Sequence, residues 1–284
     1  RHMMAGRKAK NTIGAIVRVI ILTAFLLAAI LPLFWIFITS LKSAKELYAL
    51  PLIYWPKEPS FAAYKKLFTY SNFGVYFLNS LKVTLVASVG AMAVAICSGF
   101  ALSRLRAQKL KGKIEILMYF TQTLPSFMLM VPLFMMFSKL KLVDNHISLS
   151  TIYIATVVAF CTIMARSFFD RIPVSLEEAA KIDGCNLFQS IIHVVLPTTL
   201  PGIAAIFCFA FINIWNELFI SVMIINKTSK YTVPVALNSF ISKAGVSWDL
   251  MSAGIVVALL PTMIVFGIGQ KYIVAGLTEG GVKG

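Results

Sequence analysis

The chain has 284 residues, 59% of them hydrophobic and 13% charged, with a formal net charge of +15 and a mean hydropathy of +0.85. A soluble domain carries charge on about a quarter of its residues, so this apolar excess excludes an ordinary soluble enzyme and points to a polytopic membrane protein. The basic residues flank apolar segments rather than forming one patch, which reads as membrane topology and excludes nucleic acid as the partner.

Arg1-His-Met3 looks like a cloning remnant and is left out of fold reasoning. The first apolar stretch is too long for a cleavable signal peptide, and no small-residue cleavage site follows it. Apolar stretches lie near 13–39, 77–102, 114–137, 148–168, 200–225 and 250–272. Each is long enough to cross roughly 30 Å of hydrocarbon at about 1.5 Å per residue. The expectation is an all-α fold with six transmembrane helices. A tail over 1–12 precedes the membrane body of 13–275, which carries a loop at 169–199, and a tail over 276–284 follows.

The seven arginines are Arg1, Arg7, Arg18, Arg104, Arg106, Arg166 and Arg171. They fall at the N-terminus, after the second stretch, or around the end of the fourth, which the positive-inside rule places in the cytosol with both termini. The first outside loop, about Leu41 to Tyr76, carries lysines, but it is long and weighs less in that count. It also carries Pro51, Pro56, Pro59 and interfacial aromatics such as Tyr54, Trp55 and Phe61. The other outside loops are Lys139 to His146 and Asn226 to Asp249, each either a plain connection or a surface for an external partner. Pro32, Pro125, Pro132, Pro201 and Pro261 lie in or at the start of spans, as kinks that act as hinges or as static packing.

The longest polar interruption in the second half begins at Ser175-Leu-Glu-Glu-Ala-Ala-Lys-Ile-Asp-Gly184. Ser175 and Glu178 have capping-box spacing, with Pro173 just before, and predict a helix from Leu176 to about Asp183. Glu177, Glu178, Lys181 and Asp183 surround a thin face made by Ala179 and Ala180. Gly184 ends the helix as a left-handed residue would, and Asn186 caps the next turn. Leu187, Ile191, Val194 and Val195 then recur at helical spacing until Leu196-Pro197 stops the run. Small residues beside acidic ones make a poor core and a good interface.

Glu178-Ala-Ala-Lys-Ile-Asp-Gly184, nine residues, then Val194-Val195-Leu196-Pro197 resembles the EAA motif of ABC importer permeases, with Val194 in place of the usual Ile. Trp35-Ile-Phe-Ile-Thr-Ser-Leu-Lys42, Asn79-Ser-Leu81, Ala101-Leu-Ser-Arg104, Trp215-Asn-Glu217 and the ending Ala275 to Gly284 are similar to the carbohydrate subgroup related to the maltose permease G subunit. The resemblance covers nearly the whole chain. It implies a type I importer permease for a sugar or oligosaccharide in a bacterial or archaeal cell membrane. It also implies a cytosolic ATPase subunit that receives Glu177, Glu178, Ala179, Ala180, Asp183, Gly184, Leu196 and Pro197. Two ATPase subunits, which carry ATP and Mg, a second homologous permease and an external solute-binding protein complete the assembly. The C-terminal tail from Gly276 would reach toward the ATPase pair.

No phosphate-binding loop occurs, because Gly112-Lys113 is followed by Ile114 and lacks the upstream glycine. The chain is therefore expected to bind no cofactor and to catalyse no reaction. His146 and His193 are isolated, and Cys97, Cys161, Cys185 and Cys208 match no metal or redox spacing. Glu217 is the one acidic residue well inside a predicted span, roughly 24 Å along its helix from Pro201. Asn213, Asn216 and Glu217 share a helical face, with Trp215 and Phe219 nearby. Two readings stand side by side: these residues line the solute path, or they lock the span to the partner subunit. Other polar solutes, such as a polyol or glycerol phosphate, fit the same assembly. A stand-alone secondary transporter would need paired intramembrane charges and a repeat, and neither is evident.

Overall fold

The computed structural model describes residues 2–242 and 245–278, with side chains over 14–242 and 245–272. By contacts the chain forms two compact units, one of residues 1–71 with 240–257 and one of 72–239 with 258–284.

The first unit begins with α1 (His2–Ser40), which continues through Pro32 and starts well before the predicted residue 13. From Gly14 on it is long and apolar enough to cross a membrane. From Gly14 to Leu33 its side chains are exposed, an apolar surface of the kind a bilayer or another chain covers. The segment after it is tied down by residues near the end of that helix. Lys42 Nζ donates to Ile53 O at 2.7 Å and lies over the Trp35 ring at 4.5 Å, while the Ser40 and Tyr64 hydroxyls are 2.7 Å apart. The short α2 (Ala44–Leu47) has a full capping box between Ser43 and Glu46. Backbone donors at Ser43 and Lys57 hold the Glu46 carboxyl below its ordinary range. After α3 (Ala62–Tyr70) the unit resumes with a two-residue antiparallel ribbon, β1 (Ile241–Ser242) and β2 (Gly245–Val246). It closes on the opening turns of the last helix, where Lys66 meets Asp249 at 2.9 Å.

The second unit is built on α4 (Phe73–Arg104) and α7 (His146–Phe169), which pack along most of their length. The seam is made of small residues. Ala87, Ala91 and Ala95 are fully buried at four-residue spacing, and Gly99 continues the row. A β-carbon at Gly99 would lie 2.9 Å from the backbone nitrogen of Arg166. Close approach of this kind is how membrane helices gain packing without help from water. The hydroxyls of Ser98 and Thr162 add an interhelical hydrogen bond of 2.8 Å.

Between them lie α5 (Gln108–Thr123) and α6 (Met130–Lys139), joined through a 3-10 turn at Ser126–Leu129. The sequence predicts a single span over 114–137, kinked at its prolines. Instead the two pieces meet at 88°. Pro125 removes a backbone donor and drives Leu124 into the extended region, φ −79° and ψ 117°. Pro132 falls in the first turn of α6, where it is tolerated. Arg166 bridges Glu115 of α5 and Asp170, the latter at 3.0 Å.

After α7 come α8 (Val174–Ile182), α9 (Leu187–Ser190), a π-helical turn at Ile191–Val195, α10 (Leu196–Thr198) and α11 (Leu200–Trp215). The predicted span over 200–225 is also divided. α11 ends at Trp215, and α12 (Phe219–Ile224) starts after a break. α13 (Val233–Ser239) follows. It is held by Asn79, whose amide donates to Ser229 O and Tyr231 O at 3.1 Å each, and by Ser80, whose hydroxyl accepts from the Val233 N–H at 2.7 Å. The rest of α14 (Trp248–Thr278), running through Pro261, completes the unit. Among the described residues four helices are long and apolar enough to cross a membrane alone, and up to six spans result if each bent pair counts as one.

Candidate functional site

The 169–199 loop is a chain of short helices. α8 begins at Val174 with Pro173 at the N-cap and no side-chain cap. The expected Ser175–Glu178 capping box is therefore absent. Pro173 pre-sets the helix to start one turn position early, which leaves Ser175 inside the first turn rather than before it. The end of α8 agrees with the sequence. Gly184 has φ +86°, and the Cys185 N–H donates to Ala180 O at 2.9 Å, closing a glycine cap. Asn186 caps α9 in a reciprocal box with Gln189.

Leu196-Pro197 does not stop the run. The helix passes through a π turn and bends by 80° only at Thr199, between 187–198 and 200–215. Pro197 offers no N–H to the preceding turn. Threonine hydroxyls take up the carbonyls around the bend. Thr198 Oγ1 donates to Val195 O at 2.8 Å, and Thr199 Oγ1 donates to the same oxygen at 2.8 Å.

The loop's residues divide into two faces. Glu178, Ala179, Asp183 and Gly184 are exposed. So are Ile182 at 87% and Phe188 at 71%, joined by Leu176 and Leu187. Ala180 and Glu177 are buried, as are Ser190 and Val195, while Leu196 is half-buried and Pro197 exposed. Glu177 thus departs from the expected ring of charge. It pairs with Arg104 at the end of α4, with Arg104 Nε to Glu177 Oε1 at 2.7 Å. An open pocket of about 340 Å³ lies beside the loop, lined by Phe168, Ile172, Leu176, Thr199 and Gly202 among others. α8 therefore exposes an apolar and acidic rim on one side, while Glu177 pairs with Arg104 on the other.

The second candidate group is separated by the break after α11. Trp215 is 2% exposed. Its indole N–H donates to Ala258 O at 3.0 Å, and its ring stacks on Phe211 at 5.9 Å, so it has no free face for a sugar. Asn216 is the C-cap of α11, and its amide donates back to Ile212 O at 2.8 Å. The helix stops at Trp215, so of Asn213, Asn216 and Glu217 only Asn213 and Glu217 keep a common side. Glu217 instead caps α12. Its carboxylate accepts from the Ile220 N–H at 3.1 Å and the Ser221 N–H at 3.3 Å, and the Tyr153 hydroxyl donates to Oε2 at 2.9 Å. Asn213 and Glu217 do border one cavity of about 580 Å³, with Thr121, Gln122, Thr151, Thr156 and Phe209.

Two residues that bond the candidate glutamates, Arg104 and Tyr153, do not stand out in the sequence as their partners. Arg104 reads there as a topology marker and part of a family motif, although a basic residue that ends a span before a polar loop is a natural partner for one of its acids. Tyr153 carries no sequence signal, because its role depends on the break at Glu217. Cys161 and Cys208 are buried, but Cys97 is exposed on α4, and all four cysteines are free. His146 Nε2 is 2.9 Å from Lys230 O, and His193 Nδ1 is 3.0 Å from Gln189 O. Among the described residues no group of three or more His, Cys, Asp or Glu side chains could hold a metal.

The sequence family described as "binding-protein-dependent transport system inner membrane component" matches residues 95–279. The sulfoquinovosyl glycerol transport system permease protein SmoH of Agrobacterium fabrum is 32% identical over 271 residues, 95% of this chain and 95% of that protein. The galactooligosaccharides transport system permease protein GanQ of Bacillus subtilis is 27% identical over 99% of this chain and 100% of its own. Among solved structures, a chain of a bacterial ABC transporter involved in the import of the acidic polysaccharide alginate superimposes with a TM-score of 0.77 at 25% identity, covering 93% of this chain and 98% of that one.

Proposed function

The chain belongs to the family of binding-protein-dependent transport inner membrane components, and from that premise we propose that it is one permease subunit of an importer for an oligosaccharide or another glycosylated polar solute. The family is one of transport components and not of enzymes. Relatives named for sulfoquinovosyl glycerol and galactooligosaccharides support the solute class. The loop 169–199 docks on a cytosolic ATPase subunit, so both termini face the cytosol. ATP and Mg²⁺ belong to the two ATPase subunits, a second permease supplies the other half of the path, and an external binding protein delivers the solute. The expected contact of the tail from Gly276 with the ATPase pair falls mainly on residues outside those described.

The observation that carries the docking role is the exposed rim of α8 and α9. Glu178, Asp183, Ile182 and Phe188 stand clear of the fold, next to a glycine that only a left-handed residue satisfies. Glu178→Lys reverses the charge on that rim, and Gly184→Pro forbids φ +86°. Each is expected to abolish uptake and to strip the ATPase subunits from the purified membrane complex, with insertion unchanged. Normal uptake and retention in both variants would sink the docking role.

The cavity beside Asn213 supports a solute path through this subunit, because it mixes amides and hydroxyls with the Phe209 ring. Asn213→Ala is expected to raise the solute concentration needed for half-maximal uptake. Glu217 supports a different role, since its carboxylate is already occupied by its own chain.

A further inference from the structure

The two adjacent glutamates of α8 meet opposite surroundings: Glu178 is exposed and Glu177 is 5% exposed. Arg104, the last residue of α4, lies 73 positions earlier and binds Glu177 Oε1 through Nε at 2.7 Å and Nη2 at 2.6 Å. The rest of the guanidinium is also occupied. Nη1 donates to Ser103 Oγ at 2.8 Å and to Phe169 O at 3.2 Å. Nη2 donates to Ile172 O at 3.3 Å, and the Phe100 ring lies 5.5 Å from the guanidinium carbon. One side chain therefore joins the end of α4, the end of α7 and the first turns of α8. A planar fork of five donors can do this, and a lysine ammonium cannot match it.

We propose that Arg104 is a positioning residue that makes α8 and the adjacent end of α4 move as one body, so that displacement of the docking loop is delivered to α4 through the Arg104–Glu177 pair. The proposal rests on the docking role of 169–199. By chain connection α8 leads back through residues 170–173 to α7 and on through the π turn and the 80° bend into α11, and neither connection ties α8 to the end of α4, which it meets through the Arg104–Glu177 pair. α4 in turn carries the small-residue seam to α7. An exposed ion pair would be too weak to transmit such a push. This one has side-chain exposures of 20% for Arg104 and 7% for Glu177, and Arg104 is braced by two backbone carbonyls, so separating the pair leaves the buried Glu177 carboxylate without its partner. The adjacent acids divide the labour, with Glu178 facing the partner and Glu177 facing the fold.

The test uses the whole transporter with its ATPase subunits in lipid nanodiscs. Nitroxide labels are placed at Lys181→Cys on α8 and Arg106→Cys just beyond α4, in a background of Cys97→Ser and Cys185→Ser. Their separation is measured by pulsed electron paramagnetic resonance without nucleotide and after trapping with ATP, Mg²⁺ and vanadate. In the parent the separation stays within ~2 Å between the two states, and in Arg104→Met it shifts by about one helical turn, ~5 Å. Arg104→Lys falls between them, and Arg104→Glu combined with Glu177→Arg returns toward the parent. The ATPase subunits remain bound in all of these. A parent-like separation in both states of Arg104→Met overturns the proposal. So does loss of the ATPase subunits from Arg104→Met to the extent seen in Glu178→Lys, because the pair would then only shape the docking face. If Arg104→Met does not accumulate in the membrane, Arg104→Lys decides, and a parent-like separation there overturns the proposal. The docking role fails separately: Glu178→Lys would then retain its ATPase subunits, whatever the label distances report.

Discussion

Glu177 sits in α8 against the guanidinium of Arg104, whereas Glu217 sits in the break between α11 and α12 against two backbone amides and a phenol. Both carboxylates belong to the same unit, and both would be costly to leave unpaired away from water. Glu177 is compensated by a distant cation, so its contact can be transmitted, strained or swapped. Glu217 is compensated by donors within four residues and one neighbouring helix, and no cation stands within ion-pair distance of it among the described residues. The first arrangement joins separate elements, and the second lets one membrane helix stop and another start without orphaned N–H groups. A buried or half-buried carboxylate in a transporter is therefore not by itself evidence of a solute site. Its partners decide which role it has.

The widest separation between the two cases is expected from alanine substitutions. Glu217→Ala leaves the amides of Ile220 and Ser221 without their side-chain acceptor, at about 1–3 kcal/mol for each buried group, and leaves the Tyr153 hydroxyl only the longer contact to the residue 217 carbonyl at 3.4 Å. Glu177→Ala leaves Arg104 with the carbonyls of Phe169 and Ile172 and partial solvent access. Glu217→Ala is thus expected to lower the melting temperature of the detergent-purified subunit well below that of Glu177→Ala, which instead loses transport. Equal melting temperatures would place both glutamates in the same structural class and break the comparison.

A smaller effect isolates one donor. Tyr153→Phe keeps the ring in the α7 core and removes only the hydroxyl that reaches Glu217 Oε2. Hydrogen bonds to a charged group contribute about 1.5–3 kcal/mol, and Glu217 retains its two amides, so the loss should fall at the lower end of that range. If Tyr153→Phe changed uptake selectivity with no loss of thermal stability, the carboxylate would be a solute ligand rather than a cap.

The local half of this architecture is legible in the sequence. Gly184 and Asn186 act as their residue types predict, because a left-handed turn and an N-cap are decided within a few positions. The Ser175–Glu178 spacing misleads for an equally local reason, since Pro173 starts the helix one position too early for Ser175 to cap it. The small-residue seam of Ala87, Ala91, Ala95 and Gly99 was readable from its spacing, yet hydropathy alone records only that α4 is apolar. Pro125 marks the break in the third span, whereas Asn216-Glu217-Leu218 contains no proline or glycine to mark the other. The division between Glu177 and Glu178 is not local. It depends on Arg104, brought to the loop by the packing of α4 on α7.

Asp144 combines the two modes and is expected to give the smallest effect. It lies in the loop between α6 and α7, where its Oδ1 accepts from the Asn226 and Lys227 N–H groups at 2.7 and 2.8 Å. Burial opposes ionisation there. The two amides and the nearby charges of Lys227 and Lys230 outweigh it, and the carboxyl is held below its ordinary value of 3.8. A carboxyl depressed on folding stabilises the folded state above its unfolded value, and that contribution fades as pH falls through the lower folded value. From neutral pH down to about pH 5 the 224–231 segment should therefore keep its protection, and it should loosen only in stronger acid. Hydrogen exchange at Asn226 and Lys227 reads this directly. In Asp144→Asn one oxygen still accepts both amides, so protection at neutral pH should fall only slightly and its acid dependence should disappear. If the substitution instead exposed both amides at neutral pH, the charge would be what holds the loop, and Asp144 would belong with Glu177 rather than between Glu177 and Glu217.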